Sequence, residues 1–502
     1  MTGATSQAVQ SVDLATLAPV VVLAAGAVLV LLVDLVVPRR AELLAGVSLG
    51  LLAVALLAEL PLRHGDHATF CLPPLDGLRS CSYAADSLAV VVQVVLLLAA
   101  AVVVLMSVVE RRLPPGEYHF LLLSSVAGAL TVAAARDLAT LIIALEVVSL
   151  AVFAMVALRR DTAAAEAALT AFLVSLAATA VSVLGIAFVY GGTGTLFLDR
   201  AAAALAHPDV RQPMVLAGLV LVLAAPAFKL AAAPFHSWAP DTYVGAPLPV
   251  AAFLSVVSKG AGLVALLVVT VDGFGPAVRT WAPVVAVLAA ATLVVGNLGA
   301  LRQRYAVRLL AWSSIAQAGY LVLPLAAVGT VAGTTGAPAR LAVSASVAYL
   351  AAYAAMNLGA FAAVSAATPL GSRPASVRID ELRGLARTRP ALGWALAFFL
   401  ACLAGLPPGI VGLVTKVRVL EVPVRGSLGW LAVLAALASV VGLAYYLRFA
   451  AVLFVALELG SEFLVWVPRA GSSATMAAVV VTLGVTVVLS VAPALVVGLL
   501  AP

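Results

Sequence analysis

Apolar stretches of roughly 20 residues, the length that crosses a bilayer as a helix, recur along almost the whole chain. Short polar connections separate them. By that length rule the pattern predicts about fourteen spanning helices, near 16–37, 41–60, 86–109, 118–135, 138–158, 162–190, 213–233, 247–271, 276–298, 305–328, 340–366, 390–420, 428–456 and 475–500. The expected fold class is an all-α polytopic membrane protein. Two of the segments are interrupted. One contains Pro234, His236, Trp238 and Pro240; the other contains Gly405, Pro407, Pro408 and Gly409. Broken backbone at membrane depth is tolerated only inside protein or beside a water-filled cavity. The breaks fall in the seventh and twelfth spans, five apart, which suggests an inverted repeat of five helices.

Composition narrows the class. Hydrophobic residues make up 64% of the 502 and charged residues 10%, with mean hydropathy +1.18. A soluble domain is excluded by these values. The net charge of +6 does not point to nucleic acid, because the arginines are spread over short loops with no basic run. Connections after odd-numbered helices carry fifteen arginines and those after even-numbered helices eight, which predicts odd connections in the cytoplasm and both termini outside. The first residues lack a basic region and a cleavage site, so no cleaved leader is expected. Cys71 and Cys81 fall in a connection that this topology puts outside, so they are either a disulfide or two free thiols. Cys402 lies in a helix and reads as packing.

Lysine usage carries the chemistry. Of 28 basic residues only three are lysines, Lys229, Lys259 and Lys416, and all three lie in apolar segments. Arginine keeps its charge, whereas a buried lysine is able to release its proton near neutral pH. Lys259 is about twelve residues from Pro247 and from Asp272, so at about 1.5 Å per residue either end is roughly 18 Å away. Its stem is too short to reach an interface, and a charge at that depth costs at least about 2.5–3.5 kcal/mol. Lys229 is a weaker case, because a straight helix would let it snorkel. Glu146 is the sole acid in its apolar run, and Lys229 is its candidate cation. The pair reads either as a switchable contact or as a permanent salt bridge. Lys416 follows the second break, with Arg418 and Glu421 close by. His236, at the first break, is either a proton relay or a hydrogen-bonded cap. His64, His67, His119 and His207 read as solvated. Asp34 and Glu59 read as interfacial, Asp86 as a helix cap, and Glu166 as an entry-path or solvated residue. No His/Cys set has metal-ligand spacing, and GGTGT at 191–195 lacks the strand context of a phosphate loop.

FHSWAPDTYVGAPLPVAAFLSVVSK, from Phe235 to Lys259, resembles the signature of the subunit N family of bacterial NADH–quinone oxidoreductase, respiratory complex I. Supporting stretches are ALEVVSLAVFAMVAL around Glu146, GNLGALRQRYAVRLLAWSSIAQAGYL from Gly296, LAGLPPGIVGLVTK ending at Lys416, and AYYLRFA with Arg448. The resemblance runs from the third helix almost to the end. It implies an antiporter-like fold of fourteen helices with interrupted helices seven and twelve. The expected division is helices one to three (1–117), a first repeat (118–271), a second repeat (276–456) and a last helix (457–502). It implies a proton-translocating subunit of the bacterial plasma membrane, part of an NADH:quinone oxidoreductase. No cofactor is expected in this chain: flavin, iron–sulfur clusters and the quinone site belong to partner subunits, and the neighbours are other antiporter-like and small membrane subunits. Glu146 and Lys229 become the modulating pair, Lys259 the central lysine, Lys416 the lysine of the second half, and His236 a bridge between Lys229 and Lys259. Three departures stand out. Thr170 replaces a lysine common in helix six, Gln317 a histidine common in helix ten, and Leu413 and Thr415 a Phe and a Gly. The alternatives are a cation/proton antiporter subunit of the related family, or a scaffold whose lysines are fixed ion pairs.

Overall fold

The computed structural model describes residues 12–73, 79–110, 113–329, 337–368, 374–456 and 473–500. The first eleven residues, read above as uncleaved, lie outside them, as do Arg111, Arg112, Arg373 and Arg469. Among the described residues, thirteen helices are long and apolar enough to cross a membrane. The remaining predicted span is two shorter helices, Pro390–Ala404 and Ile410–Arg425. Helices are the economical solution in lipid, because every backbone group is satisfied within the segment.

The spans are not equivalent. In Leu248–Gly273, the Lys259 helix, every residue from 248 to 270 is buried, and Ala306–Ala327 and Ala339–Ala367 are nearly as enclosed. Leu14–Val36, Thr162–Thr193 and Gly429–Phe454 turn apolar side chains such as Leu32, Leu173 and Val433 outward. A ring of lipid-compatible helices thus surrounds a core that lipid does not reach. The only sheet among the described residues is a hairpin, His67–Cys71 with Cys81–Ala85, outside the spans. Cys71 pairs opposite Cys81 in its register, and the two sulfurs are bonded.

Sequence explains several ends. Asp86, Asp137 and Asp161 each accept the amide of the residue three positions on, capping their helices. Asp86 therefore is a cap, and Arg136 also bonds it at 2.5 Å while lying 3.8 Å from Asp272. That arginine ties the starts of the third and fifth spans to the end of the Lys259 helix. Pro226 has no N–H, so the carbonyl of Val222 lacks its usual partner. The Ser182 hydroxyl donates to it at 2.9 Å and accepts from Ala225 N at 2.8 Å.

Two expectations change. His119 is 2% exposed, not solvated: the fourth span begins at Pro115, and Ser48 of the second span closes over the ring with a 3.1 Å hydrogen bond to Nδ1. Glu59, at its helix end as expected, is 1% exposed, and neither carboxylate oxygen has a hydrogen-bond partner.

Candidate functional site

The two interrupted spans end their first halves in the same way. In the first, Ala231 takes the left-handed conformation (φ 53°), and Ala231 N and Ala232 N donate to Phe228 O and Ala227 O. In the second, Gly405 does so (φ 85°), and Gly405 N and Leu406 N donate to Cys402 O and Ala401 O. This crossed pair is the Schellman ending, which stops a helix sharply and leaves its last carbonyls pointing onward. Both breaks then pass through a cis peptide, at Pro234 and at Pro408. Ala233 N, past the first ending, is satisfied by Thr292 Oγ1 at 2.9 Å. Pro234, Ser237, Pro407 and Pro408 are exposed on this chain.

A lysine meets each cut end. Lys259, 1% exposed, donates from Nζ to Leu230 O at 2.5 Å. Lys416, 6% exposed, donates to Leu403 O at 2.8 Å and Ala404 O at 3.0 Å. The carbonyl end of a helix carries partial negative charge, so it favours a cation there. A carbonyl bonds an ammonium more strongly than an amine but accepts from both, so it favours the charged form without excluding the neutral one. The Lys259 helix widens into a π segment over Leu254–Ser258, immediately before the lysine. Such bulges often mark functional positions. Lys416 in addition lies 5.2 Å from the centroid of the Tyr320 ring, a cation–π contact.

Lys229 is 4% exposed and sits in the last turn of Ala224–Leu230, directly before Leu230. No ion pair within 4.0 Å joins Lys229 to Glu146. None of the three lysines has a carboxylate partner at that distance among the described residues. The Glu146 carboxylate instead accepts a 2.5 Å hydrogen bond from Thr179 Oγ1 on the sixth span. His236 makes no hydrogen bond to either lysine. Its Nδ1 is buried without a partner, and its ring stands 5.9 Å from that of Trp312 on the tenth span. The structure therefore joins Lys229 and Lys259 at one cut helix end, holds Glu146 apart from Lys229, and leaves His236 facing the other half. Glu166 and Thr170 are exposed on the sixth span.

Between the two cut ends runs a seam of buried neutral polar groups that the lysine pattern did not reveal. Near Lys259, Asn357 Nδ2 donates to Ser255 Oγ at 2.7 Å. One turn back on the Asn357 helix, Tyr353 OH donates to Ser314 Oγ at 2.9 Å, and Tyr243 OH lies 3.4 Å from the same hydroxyl. The adjacent Ser313 bonds Tyr446. Gln317 is the hub: its Nε2 donates to Tyr446 OH at 3.0 Å and to Leu403 O at 3.4 Å, and its Oε1 accepts from Tyr349 OH. Leu403 O is the carbonyl that Lys416 also bonds. Orphaned polar atoms punctuate the seam, at Ser258 Oγ and Asn357 Oδ1. No set of three metal-ligating side chains occurs among the described residues.

Comparison with known proteins agrees with this architecture. Residues 135–442 match the family described as NADH:quinone oxidoreductase/Mrp antiporter, TM. NADH-quinone oxidoreductase subunit N 2 of Streptomyces griseus subsp. griseus is 48% identical, over 90% of this chain and 84% of the relative. The chain belongs to the subunit N family of NADH-quinone oxidoreductase. Subunit N of Salinispora tropica is 44% identical over 89% of this chain and 86% of its own. Respiratory complex I from Thermus thermophilus with bound aureothin contains a chain that is 32% identical, with TM-score 0.77 over 96% of this chain and 99% of that one. The Mrp complex from Dietzia sp. DQ12-45-1b superposes with TM-score 0.82 over 97% and 96%, at 21% identity. Fold alone thus does not separate the two branches of the family; sequence does.

Proposed function

We propose that this chain is the proton-translocating membrane subunit of a respiratory NADH–quinone oxidoreductase, and that Glu146, Lys229, His236, Lys259 and Lys416 carry the protons. The observation that carries this reading is the pair of buried lysines at the two cut helix ends, bonded to carbonyls and free of carboxylate contact. A scaffold would be expected to neutralise such charges permanently, because an uncompensated buried charge typically costs about 3–5 kcal/mol. Relatives named subunit N favour this reading over a cation/proton antiporter subunit.

In the proposed cycle, quinone reduction in partner subunits changes the field along the seam. A change in the distance between Glu146 and Lys229 alters how readily Lys259 holds its proton. Transfer toward Lys416 follows Ser255, Asn357, the Ser313–Ser314 hydroxyls and Gln317, with water completing the chain at the orphaned atoms. Moving one charge against 100 mV takes about 2.3 kcal/mol, within the range that remaking a buried pair supplies. Flavin, iron–sulfur clusters and quinone belong to partners in this reading. Exposed breaks at membrane depth support cover by neighbouring membrane subunits. The matching Schellman endings support two repeats, 118–271 and 276–456. The arginine distribution supports odd connections in the cytoplasm of a bacterial cell and both termini outside, where the Cys71–Cys81 bond is stable.

The test is Lys259→Met in the assembled complex, with NADH–quinone turnover and proton uptake recorded in the same vesicles. Loss of both, or normal turnover with fewer protons per electron, is the expected range. Unchanged turnover and pumping would refute the role of Lys259.

A further inference from the structure

A cavity ringed by arginines lies at the ends of several spans, away from the lysines. It measures about 540 Å³ and is lined by Arg159, Arg302, Arg304 and Arg308, with Gln303 and Tyr305. Its walls are where the spans Leu138–Ala157 and Gly275–Leu301 end and Ala306–Ala327 begins. Two of its arginines are neutralised: Arg159 by Asp161 at 2.8 Å and Arg308 by Asp241 at 2.9 Å. The side chains of Arg302 and Arg304 have no partner among the described residues, and both are exposed.

The loop that carries these two is held rigidly. Arg448 donates to Leu301 O at 3.1 Å and to Gln303 O at 2.5 Å. Gln303 Nε2 returns to Gly299 O at 2.8 Å, and Ile379 N donates to Arg304 O at 2.8 Å. Four guanidinium groups around one cavity, with two carboxylates among them, leave an excess of positive charge in a fixed frame. Guanidinium forks match phosphate oxygens, and a preset frame loses little freedom on binding. Basic pockets between spanning helices at a membrane face suit anionic lipid headgroups.

The helix leading into this loop supplies the rest of a lipid site. Val287, Val294 and Leu298 are exposed, seven and four positions apart, so they share one face of the helix. Arg302 follows four positions later. Tyr305, exposed at the boundary, has the amphipathic character of residues at the headgroup level. We propose that this cavity binds the phosphate of an anionic phospholipid, with an acyl chain lying along Leu298, Val294 and Val287.

The experiment uses the whole complex in vesicles that contain a photoreactive phosphatidylglycerol. Crosslinks to this chain are mapped by peptide mass spectrometry, and NADH–quinone turnover reports assembly. Labelling is expected around Leu298–Tyr305, competed by dioctanoyl phosphatidylglycerol but not by dioctanoyl phosphatidylcholine. In R302Q/R304Q the competing lipid should bind about thirtyfold more weakly, while R302K/R304K, which keeps the charge but not the fork, should bind with an affinity between those of R302Q/R304Q and wild type. Equal labelling in R302Q/R304Q overturns the proposal. Competition by inorganic phosphate as strong as by the lipid would reveal a soluble-phosphate site instead. A photocrosslinker at position 302 that captures only an acidic segment of a neighbouring subunit would assign the cavity to protein contact.

Discussion

Gly262 lies against Lys229. A β-carbon at 262 would stand 2.6 Å from Lys229 Cβ, 3.0 Å from Leu230 N and 3.1 Å from Pro226 O. Two of these three atoms are backbone, so the Lys259 helix is able to meet the cut helix end only because residue 262 has no side chain. Gly262→Ala should therefore separate the helices, at a cost of about 1–3 kcal/mol, and draw Lys259 from Leu230 O. Protons pumped per electron should fall severalfold while the complex still assembles. Gly260→Ala is the control: its β-carbon meets Leu96 and Leu350 only at side-chain ends. Pumping equal in the two variants would separate the lysine's role from this contact.

The second break has a tighter counterpart. A β-carbon at Gly412 would fall 1.8 Å from Cys402 O and 2.8 Å from Cys402 C. Lys416 is one turn further along the same helix, and its carbonyl partners belong to the residues after Cys402. Gly412→Ala should push Ile410–Arg425 away and break both Lys416 bonds. The expected phenotype matches Lys416→Met in proton uptake, with a lower thermal midpoint of the purified complex. Gly429→Ala, where a β-carbon meets nothing within 4 Å, should behave as wild type in both measurements.

How far the sequence reached depended on charge. Lys259 was legible because a charge so far from either interface has few explanations, and the breaks were legible because Pro and Gly clustered within a few residues weaken a helix at that point. The number of spans followed from apolar length alone. Thr179 as the partner of Glu146, and the Gln317–Tyr446 contact, were not marked, because neutral side chains at membrane depth carry no signal in one sequence; Gln317 stood out only as a departure from the family. His119 was misread because proximity to a helix end says nothing about which neighbouring span covers the ring. For His236, the bridge to the two lysines rested on the family resemblance, and its placement beside Trp312 depends on how the halves pack.

Thr179 gives Glu146 its hydrogen bond, and no lysine lies within ion-pair distance of that carboxylate. A hydrogen bond to a charged group is worth about 1.5–3 kcal/mol, enough to hold the side chain toward the sixth span. Thr179→Val should release it and let it close on Lys229. The expected result is slower pumping, by roughly tenfold for each 1.4 kcal/mol of added barrier, with assembly unchanged. Thr179→Ser keeps the donor and should restore the rate. If Thr179→Val pumps normally, this hydroxyl has no part in setting the Glu146–Lys229 distance.

Gln317 decides whether the seam is a path or merely a packed core. It links Tyr446, Tyr349 and the Leu403 carbonyl that Lys416 shares. An amide does not titrate, so Gln317 passes a proton only by ordering hydroxyls and water around it. Gln317→Leu keeps the approximate volume and removes every one of these bonds. It strands the buried hydroxyl of Tyr349, at about 1–3 kcal/mol for each unsatisfied group. Gln317→His restores a hydrogen-bonding ring that also accepts a proton near neutral pH. The leucine variant should lose proton uptake with its Lys259 half intact. The histidine variant should pump, with a pH dependence that wild type lacks, because a titrating group now stands in series with Lys416. Measuring protons per electron across pH in all three separates the possibilities. A leucine variant that pumps like wild type at every pH would show that protons leave before reaching Lys416.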